Sequence, residues 1–404
     1  MNASGSCLSR LECARCGREL PADRPPGPCP DCGGPLLARY DLEAAGRVFR
    51  PSDLAGRPTC LWRYREVLPV QDPAGIVTLG EGWTPLVRLD RLRERWGLAE
   101  LFVKDEARLP AGSVKARAAA VGVSRARELG IRRLVLGAAG SAGGAWAAYS
   151  ARAGLELTVF MSADAPPGRV GEAVLVGAKV ILVEGGPDDA VRRARQAEPG
   201  PGQLDVSAFR EPYQLEGAKT LGYELYEQLD WRPPNAVICP VGNGSVIVGI
   251  WKAVNEMEAM GWIPGRKPRL IGVQAAGCAP VVRAFDEGAE ECRPWADAGT
   301  LAGELRVADP PAGFLALRAI RETGGWAAAV TDGEIREAMR LAASTEGLIL
   351  GPEGAAALAA LDRLARAGMV LPGNRLVVLN TGTGNLPGPA EARPVLRPAQ
   401  VSPL

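Results

Sequence analysis

The residues whose types and spacing could do chemistry are one lysine and four cysteines. Lys115 stands in Leu109-Pro110-Ala111-Gly112-Ser113-Val114-Lys115-Ala116-Arg117, where a Pro/Gly turn feeds a helical pattern. That pattern runs from Ala116 to Leu129, with apolar residues at three- and four-residue steps. A strand-like run, Leu101 to Lys104, and an acidic pair, Asp105 and Glu106, come before it. An amine at a helix N-terminus feels the positive end of the helix dipole, which favours its neutral form. A neutral amine attacks aldehydes, so Lys115 is a candidate for holding an aldehyde cofactor as an imine. A solvated helix lysine is the plain alternative.

The composition bears on that choice. The chain has six lysines (Lys104, Lys115, Lys179, Lys219, Lys252 and Lys267), while the other 41 of its 47 basic residues are arginine, which cannot form an imine. Histidine is absent, which removes Ser-His and Cys-His nucleophile pairs and every histidine metal ligand. Proton transfer in such a chain falls to Lys, Glu, Asp, Tyr, Cys or a cofactor.

The cysteines make a second constellation. Cys13-Ala14-Arg15-Cys16 is followed, after twelve residues, by Cys29-Pro30-Asp31-Cys32. Two such knuckles let four thiolates converge tetrahedrally on one zinc ion, and a closed four-thiolate shell is structural. Disulfides or idle thiols are the alternative. With five prolines from Pro21 to Pro30, the segment has little core of its own, so metal binding would supply its folding energy. Cys7, Cys60, Cys239, Cys278 and Cys292 lack this spacing and read as ordinary thiols.

The elements that must position these residues come next. A length of 404 residues suggests two or three domains, and 47% hydrophobic content is ordinary for a soluble globular chain. A net charge of +1 points to neither nucleic acid nor an anionic membrane. No signal-peptide pattern and no membrane-length apolar run stands out, and the CxxC pairs favour a reducing cytoplasm. Residues 1–12 read as a tail and 40–75 as a connector. From residue 131, strands at Arg133–Ala138, Leu155–Met161 and Lys179–Glu184 alternate with a small-residue helix that follows Gly140-Ser141-Ala142-Gly143-Gly144 and runs to Ala153, and with helices at 167–177 and 188–197. That spacing means βαβ units and a parallel sheet. A helix at 213–230 and a strand at Ala236–Pro240 lead to Val241-Gly242-Asn243-Gly244-Ser245 and another helix. A Gly-rich loop there offers backbone N–H groups to a phosphate, with a plain tight turn as the alternative. Further strands are expected at Arg269–Gln274 and Arg375–Leu379, and further helices at 332–345 and 353–367. The last strand runs into Asn380-Thr381-Gly382-Thr383-Gly384, and the end after Pro387 reads as a surface arm.

Taken in order, these segments resemble the threonine synthase family, fold type II enzymes dependent on pyridoxal phosphate (PLP). The resemblance runs from the cysteine pairs through Gly80-Glu81-Gly82-Trp83-Thr84-Pro85-Leu86 to Asn380-Thr381-Gly382-Thr383-Gly384. It implies an α/β fold like the tryptophan synthase β chain, with two open parallel-sheet domains and a small N-terminal zinc ribbon. The ribbon would span residues 1–40 and the catalytic region 41–404, with a smaller α/β domain at about 131–212 inserted in the larger. It also implies that Lys115 carries PLP, that Gly242, Asn243, Gly244 and Ser245 hold its phosphate, and that Thr381 faces the pyridine nitrogen. Ser141 would stand near the ring hydroxyl, and Thr84, Ala138, Ala139 and Gln214 at the substrate. A cytoplasmic homodimer and an amino acid substrate follow from the same likeness.

Several residues depart from the family pattern. Lys-Asp-Arg becomes Lys115-Ala116-Arg117, and Ser-Ser/Thr-Gly-Asn becomes Ala138-Ala139-Gly140-Ser141. Asn-Pro-x-Arg becomes Glu211-Pro212-Tyr213-Gln214, placing an amide where an arginine would face a substrate phosphate. The expectation is a PLP enzyme acting by elimination or replacement at the β or γ carbon of an amino acid other than O-phosphohomoserine. Arg169 or Arg210 would have to compensate in a genuine threonine synthase. A non-catalytic relative kept as a scaffold is the reading from another class. A zinc-ribbon nucleic-acid binder is disfavoured by the neutral charge and the single ribbon.

Overall fold

The computed structural model describes residues 5–384, apart from 139, 198, 199, 201, 264 and 266. Three short antiparallel strands open the chain: β1 (Leu8–Cys13), β2 (Glu19–Leu20) and β3 (Leu36–Tyr40), in the order β2-β1-β3. Residues 8–12 are therefore a strand, where a tail was expected. Leu11 pairs with Ala38, and both are buried. Leu11 takes its partners from β2, at Leu20, and from β3, so the composition of residues 8–12 alone carries no signal.

The stretch 40–75 is likewise more than a connector. Asp41 caps the Leu42–Val48 helix by accepting the Ala44 N–H at 2.8 Å. Leu61 and Trp62 then join one apolar cluster, while Tyr64 and Val67 join another. The segment thus ties two cores together through irregular backbone, which leaves no periodicity to read.

Next come β4 (Leu86–Arg88) and β5 (Glu100–Asp105). A four-stranded parallel sheet follows, built from β6 (Arg133–Ala138), β7 (Glu156–Ser162), β8 (Lys179–Val183) and β9 (Gln203–Asp205) in the order β8-β7-β6-β9. The remaining strands are β10 (Ala236–Pro240), β11 (Arg269–Ala275), β12 (Trp326–Val330) and β13 (Arg375–Asn380). They join the earlier pair in a six-stranded sheet, β12-β11-β10-β13-β5-β4, parallel except at the β4 edge. Central strands such as β10 are buried throughout, because helices cover both faces of a parallel sheet. The expected strands and helices lie within a few residues of those observed. The helices Pro280–Asp286 and Gly313–Glu322 and the strand β12 were not anticipated. Trp326-Ala327-Ala328-Ala329-Val330 has little β propensity of its own and becomes a strand by pairing with β11.

Two contacts fix the Lys115–Glu128 helix. Trp146, from the Ser141–Ala153 helix, packs into the space left by Gly122. On the other side, the Tyr213–Gln228 helix meets the lysine helix at Gly217, so closely that a Cβ there would collide with the Arg117 carbonyl oxygen. Small residues let these helices approach backbone to backbone, which leaves the first turn of the lysine helix little freedom. Among the described residues, no helix is long and apolar enough to cross a membrane.

Candidate active site

Parallel strands end on the same side of a sheet, and loops at their carboxyl ends leave a crevice. Here a cavity of about 440 Å³ is lined by Lys115, Ser141, Gly242, Asn243, Gly244, Ser245 and Thr381. The structure thus brings together all the expected lysine and cofactor-binding positions, from stretches far apart in the chain. Backbone bonds join two of these stretches. The Val114 N–H donates to Thr381 O and the Thr383 N–H to Gly112 O, both at 2.9 Å, and Ser113 bridges to Gly382. Lys115, the first residue of its helix, opens onto the cavity and is half-buried there. Burial lowers the pKa of its amine below the ordinary lysine value, while the Glu304 carboxylate acts in the opposite direction. A lysine tuned this way holds more of the neutral, nucleophilic form.

Across the cavity, the strand end after β10 turns into the Ser245–Ala259 helix. Gly244 has φ of +89°, a left-handed conformation suited to glycine, and Asn243 Oδ1 accepts the Ser245 N–H at 3.0 Å. The helix N-terminus and the Ser245 side chain face the cavity, a donor set that suits a phosphate dianion. An amine for an aldehyde, N–H groups for a phosphate and the Thr381 hydroxyl for a ring nitrogen therefore line one space. These residues fit PLP in both size and chemistry.

The expected substrate residues divide. Ala138 and Gln214 line the cavity, as do the apolar Trp146, Val206 and Ala208 and the charged Asp188, Arg192 and Arg195, so the two expected positions themselves offer a methyl and an amide. The Gln214 amide donates to Ser207 O at 3.0 Å. Glu211 does not reach the cavity lining; it accepts the Tyr213 and Gln214 N–H groups at the start of their helix. Burial pushes its carboxyl up to about 7. The Ser141 hydroxyl is paired with Ser113 Oγ at 2.9 Å. Ala139 lies outside the described residues.

Thr84 is a correction. It is buried away from the cavity, and its hydroxyl donates to Glu106 at 2.6 Å. The neighbours of Thr84 form a closed ionic cluster of Lys104, Glu106, Arg117 and Glu224, all buried. Burial would raise the Glu224 carboxyl, yet Arg117 and Lys104 hold it well below the usual range. The motif around Thr84 thus supports the lysine helix from beneath. Sequence spacing could not distinguish support from substrate contact.

Of the two arginines considered as compensating cations, Arg210 is tied to Asp205 at 3.0 Å and does not line the cavity. Arg169 does, and it bonds Glu172 and Thr383. Two residues outside the expected site also enter. Glu304 bonds the Ser141 N–H at 2.6 Å, and Glu353 accepts the Glu304 N–H at 3.1 Å. Burial, with the nearby Glu304 charge, pushes the Glu353 carboxyl up to about 7.

At the N-terminus the four expected cysteine sulfurs lie within 4.8 Å of one another. Cys13 Sγ and Cys32 Sγ are 3.4 Å apart, and Cys16 Sγ and Cys29 Sγ 3.6 Å. A tetrahedron with Zn–S of about 2.3 Å has edges of about 3.8 Å, so the group could hold zinc with little movement. The ribbon meets the body where Lys219 and Lys252 stand over the Tyr40 ring, and where Arg15 pairs with Glu291.

Comparison with known proteins agrees with this arrangement. The family described as pyridoxal-phosphate dependent enzyme matches residues 77–382. The threonine synthase of Methanocaldococcus jannaschii is 38% identical over 92% of this chain and 91% of its own. That of Methanosarcina acetivorans is 36% identical over 93% and 91%. Among solved structures, maize serine racemase superposes with a TM-score of 0.65 at 19% identity, covering 75% of this chain and 88% of its own. A fungal L-serine ammonia-lyase from Rhizomucor miehei reaches 0.63 at 23% identity over 74% and 93%. Family match, relatives and fold together show that the chain is a PLP-dependent enzyme of the threonine synthase family, of fold type II.

Proposed function

We propose that this enzyme acts by elimination or replacement at the β or γ carbon of an amino acid that carries no phosphate, with Lys115 as its catalytic residue. One observation carries the reading: Lys115, the Gly242–Ser245 loop and Thr381 share a cavity whose wall at Ala138 and Gln214 is neutral. In the proposed roles, Lys115 and Thr381 hold PLP at its aldehyde and ring nitrogen, and the loop N–H groups hold its phosphate. Bound there, PLP would supply an electron sink while a proton leaves the substrate. The Lys115 amine, when free, would take that proton and return it. Burial keeps the amine neutral enough to accept it. At Ala138 and Gln214 a substrate phosphate would meet no counter-charge, and the cations of the lining, Arg169, Arg192 and Arg195, stand elsewhere in the sequence than the family's arginine position. A cytoplasmic homodimer with a structural zinc at Cys13, Cys16, Cys29 and Cys32 belongs to the same proposal.

The visible spectrum of the purified protein, before and after candidate amino acids, is the test. Yellow protein whose band shifts with an unphosphorylated amino acid is expected, and Lys115→Ala should lose both colour and turnover. Colourless protein that takes up no added PLP would overturn the proposal. Arg169 favours a second reading, a threonine synthase with a rearranged phosphate site, because its guanidinium lines the cavity. Turnover of O-phosphohomoserine at roughly 1 per second or faster would select that reading.

A further inference from the structure

Glu304 belongs to no motif, yet it touches both loops that frame the cavity. It sits on the short turn Gly303–Leu305, between buried Ala302 and Leu305. The base of that turn is fixed where Asp332 accepts the Thr300 hydroxyl at 2.7 Å and the Leu301 N–H at 3.0 Å. From this anchor the Glu304 carbonyl packs on Gly242, so closely that a Cβ there would collide with it. Its carboxylate packs on Gly140 in the same way and takes the Ser141 N–H at 2.6 Å. Ser141 begins a helix of thirteen residues, whose first N–H groups and dipole favour an anion. The protein therefore supplies its own carboxylate to that seat, inside the cavity that holds Lys115.

The carboxylate also has somewhere else to go. Glu304 forms part of the wall of a second, polar cavity of about 170 Å³, lined in addition by Arg169, Thr300, Arg306 with its partner Asp164, and Glu353. A rotation about its side-chain bonds would carry the charge from the Ser141 N–H toward these guanidinium groups, with no movement of the anchored turn.

We propose that Glu304 is a displaceable internal carboxylate that occupies the anion seat at Ser141. An acid enters that seat only after Glu304 swings toward Arg169 and Arg306, so the residue sets the concentration at which carboxylate-bearing molecules bind. The proposal rests on the cavity being the substrate site.

Propionate is a suitable probe, since it has a carboxylate but no amine to react. Calorimetric titration of the protein as purified, with PLP present in excess, gives its affinity. Glu304→Gln and Glu304→Asp should each bind propionate at least tenfold more tightly than the native protein. The aspartate keeps the charge but is one methylene too short to reach the seat, so it separates a plug from simple repulsion. Asp188→Asn, which removes another carboxylate of the cavity lining, should change affinity less than threefold. Thermal melting of each variant checks that it is folded. Unchanged affinity in both Glu304 variants, or equal tightening in Asp188→Asn, would overturn the proposal. Colour that develops normally alongside unchanged propionate affinity sinks the Glu304 proposal alone. Absent colour with tightened affinity sinks the functional reading alone.

Discussion

Arg117→Met keeps most of the side-chain volume beneath the lysine helix and removes the guanidinium. Six hydrogen bonds go with it: two to Glu106 at 2.6 and 2.9 Å, two to Glu224 at 2.8 and 3.0 Å, and one each to Thr220 at 3.1 Å and Thr84 at 3.3 Å. Lys104 still pairs with Glu224, but Glu106 is left with the Thr84 hydroxyl. Breaking one partner out of a buried ionic cluster costs about 3–5 kcal/mol, because the charge left behind is neither hydrated nor paired. Against a typical total of roughly 5–15 kcal/mol, that is a large fraction. Urea denaturation at pH 7 should show a loss of this size. Cofactor uptake should weaken as well, since Lys115 stands two residues before Arg117. The pH dependence follows from the sign of the Glu224 shift. In the native protein its carboxyl is held below the usual range, so the stability it contributes is present above about pH 4.5 and is lost as pH falls further. In the variant, burial weighs more on Glu224, which gains a proton more readily, so the gap to the native protein should narrow as pH falls from 7 toward 4. A loss under about 1 kcal/mol at pH 7, the worth of an exposed ion pair, would refute the reasoning. So would a gap independent of pH.

Three other perturbations follow from the same structure. Metal analysis of tag-free protein should give about one zinc per chain. Cys13→Ser should lose the metal and loosen the ribbon while leaving the visible spectrum in place. For Glu353→Gln, the folded carboxyl at about 7 lies above its unfolded value of 4.5, so the native protein loses stability as pH rises between these values. The variant should escape that loss, by about 3 kcal/mol at pH 8 in thermal or urea denaturation. Gly217→Ala would press a methyl into the lysine helix, 2.8 Å from the Ala118 nitrogen, and should cost roughly 1–3 kcal/mol or more in chemical denaturation.

The chemistry of this chain was legible where it depends on residue type and local spacing. Only a lysine can form the imine, only paired CxxC knuckles set four thiolates on one ion, and strands alternating with helices require parallel sheets. Those constraints act within about thirty residues of chain, so Lys115, the Gly242–Ser245 loop, the four cysteines and most strands could be read directly. Thr84 could not be placed, because a hydroxyl in a Gly-rich turn serves a substrate or a buried arginine equally well. Its role was decided by Arg117, Glu106 and Glu224, brought together from three elements. Glu304 carried no signal at all, since a carboxylate on a Pro/Gly-rich stretch is ordinarily solvated, and Glu353 was legible only as the start of a helix. The packing of the Gly303–Leu305 turn against Gly140 and Gly242 put Glu304 inside the cavity. The strand β1 and the strand β12 likewise exist because distant partners supply their hydrogen bonds. Sequence determines which groups can react. Which of them meet, and which are spent holding the others in place, is settled by contacts between residues far apart in the chain, whose energy appears only when the sheets close and exclude water.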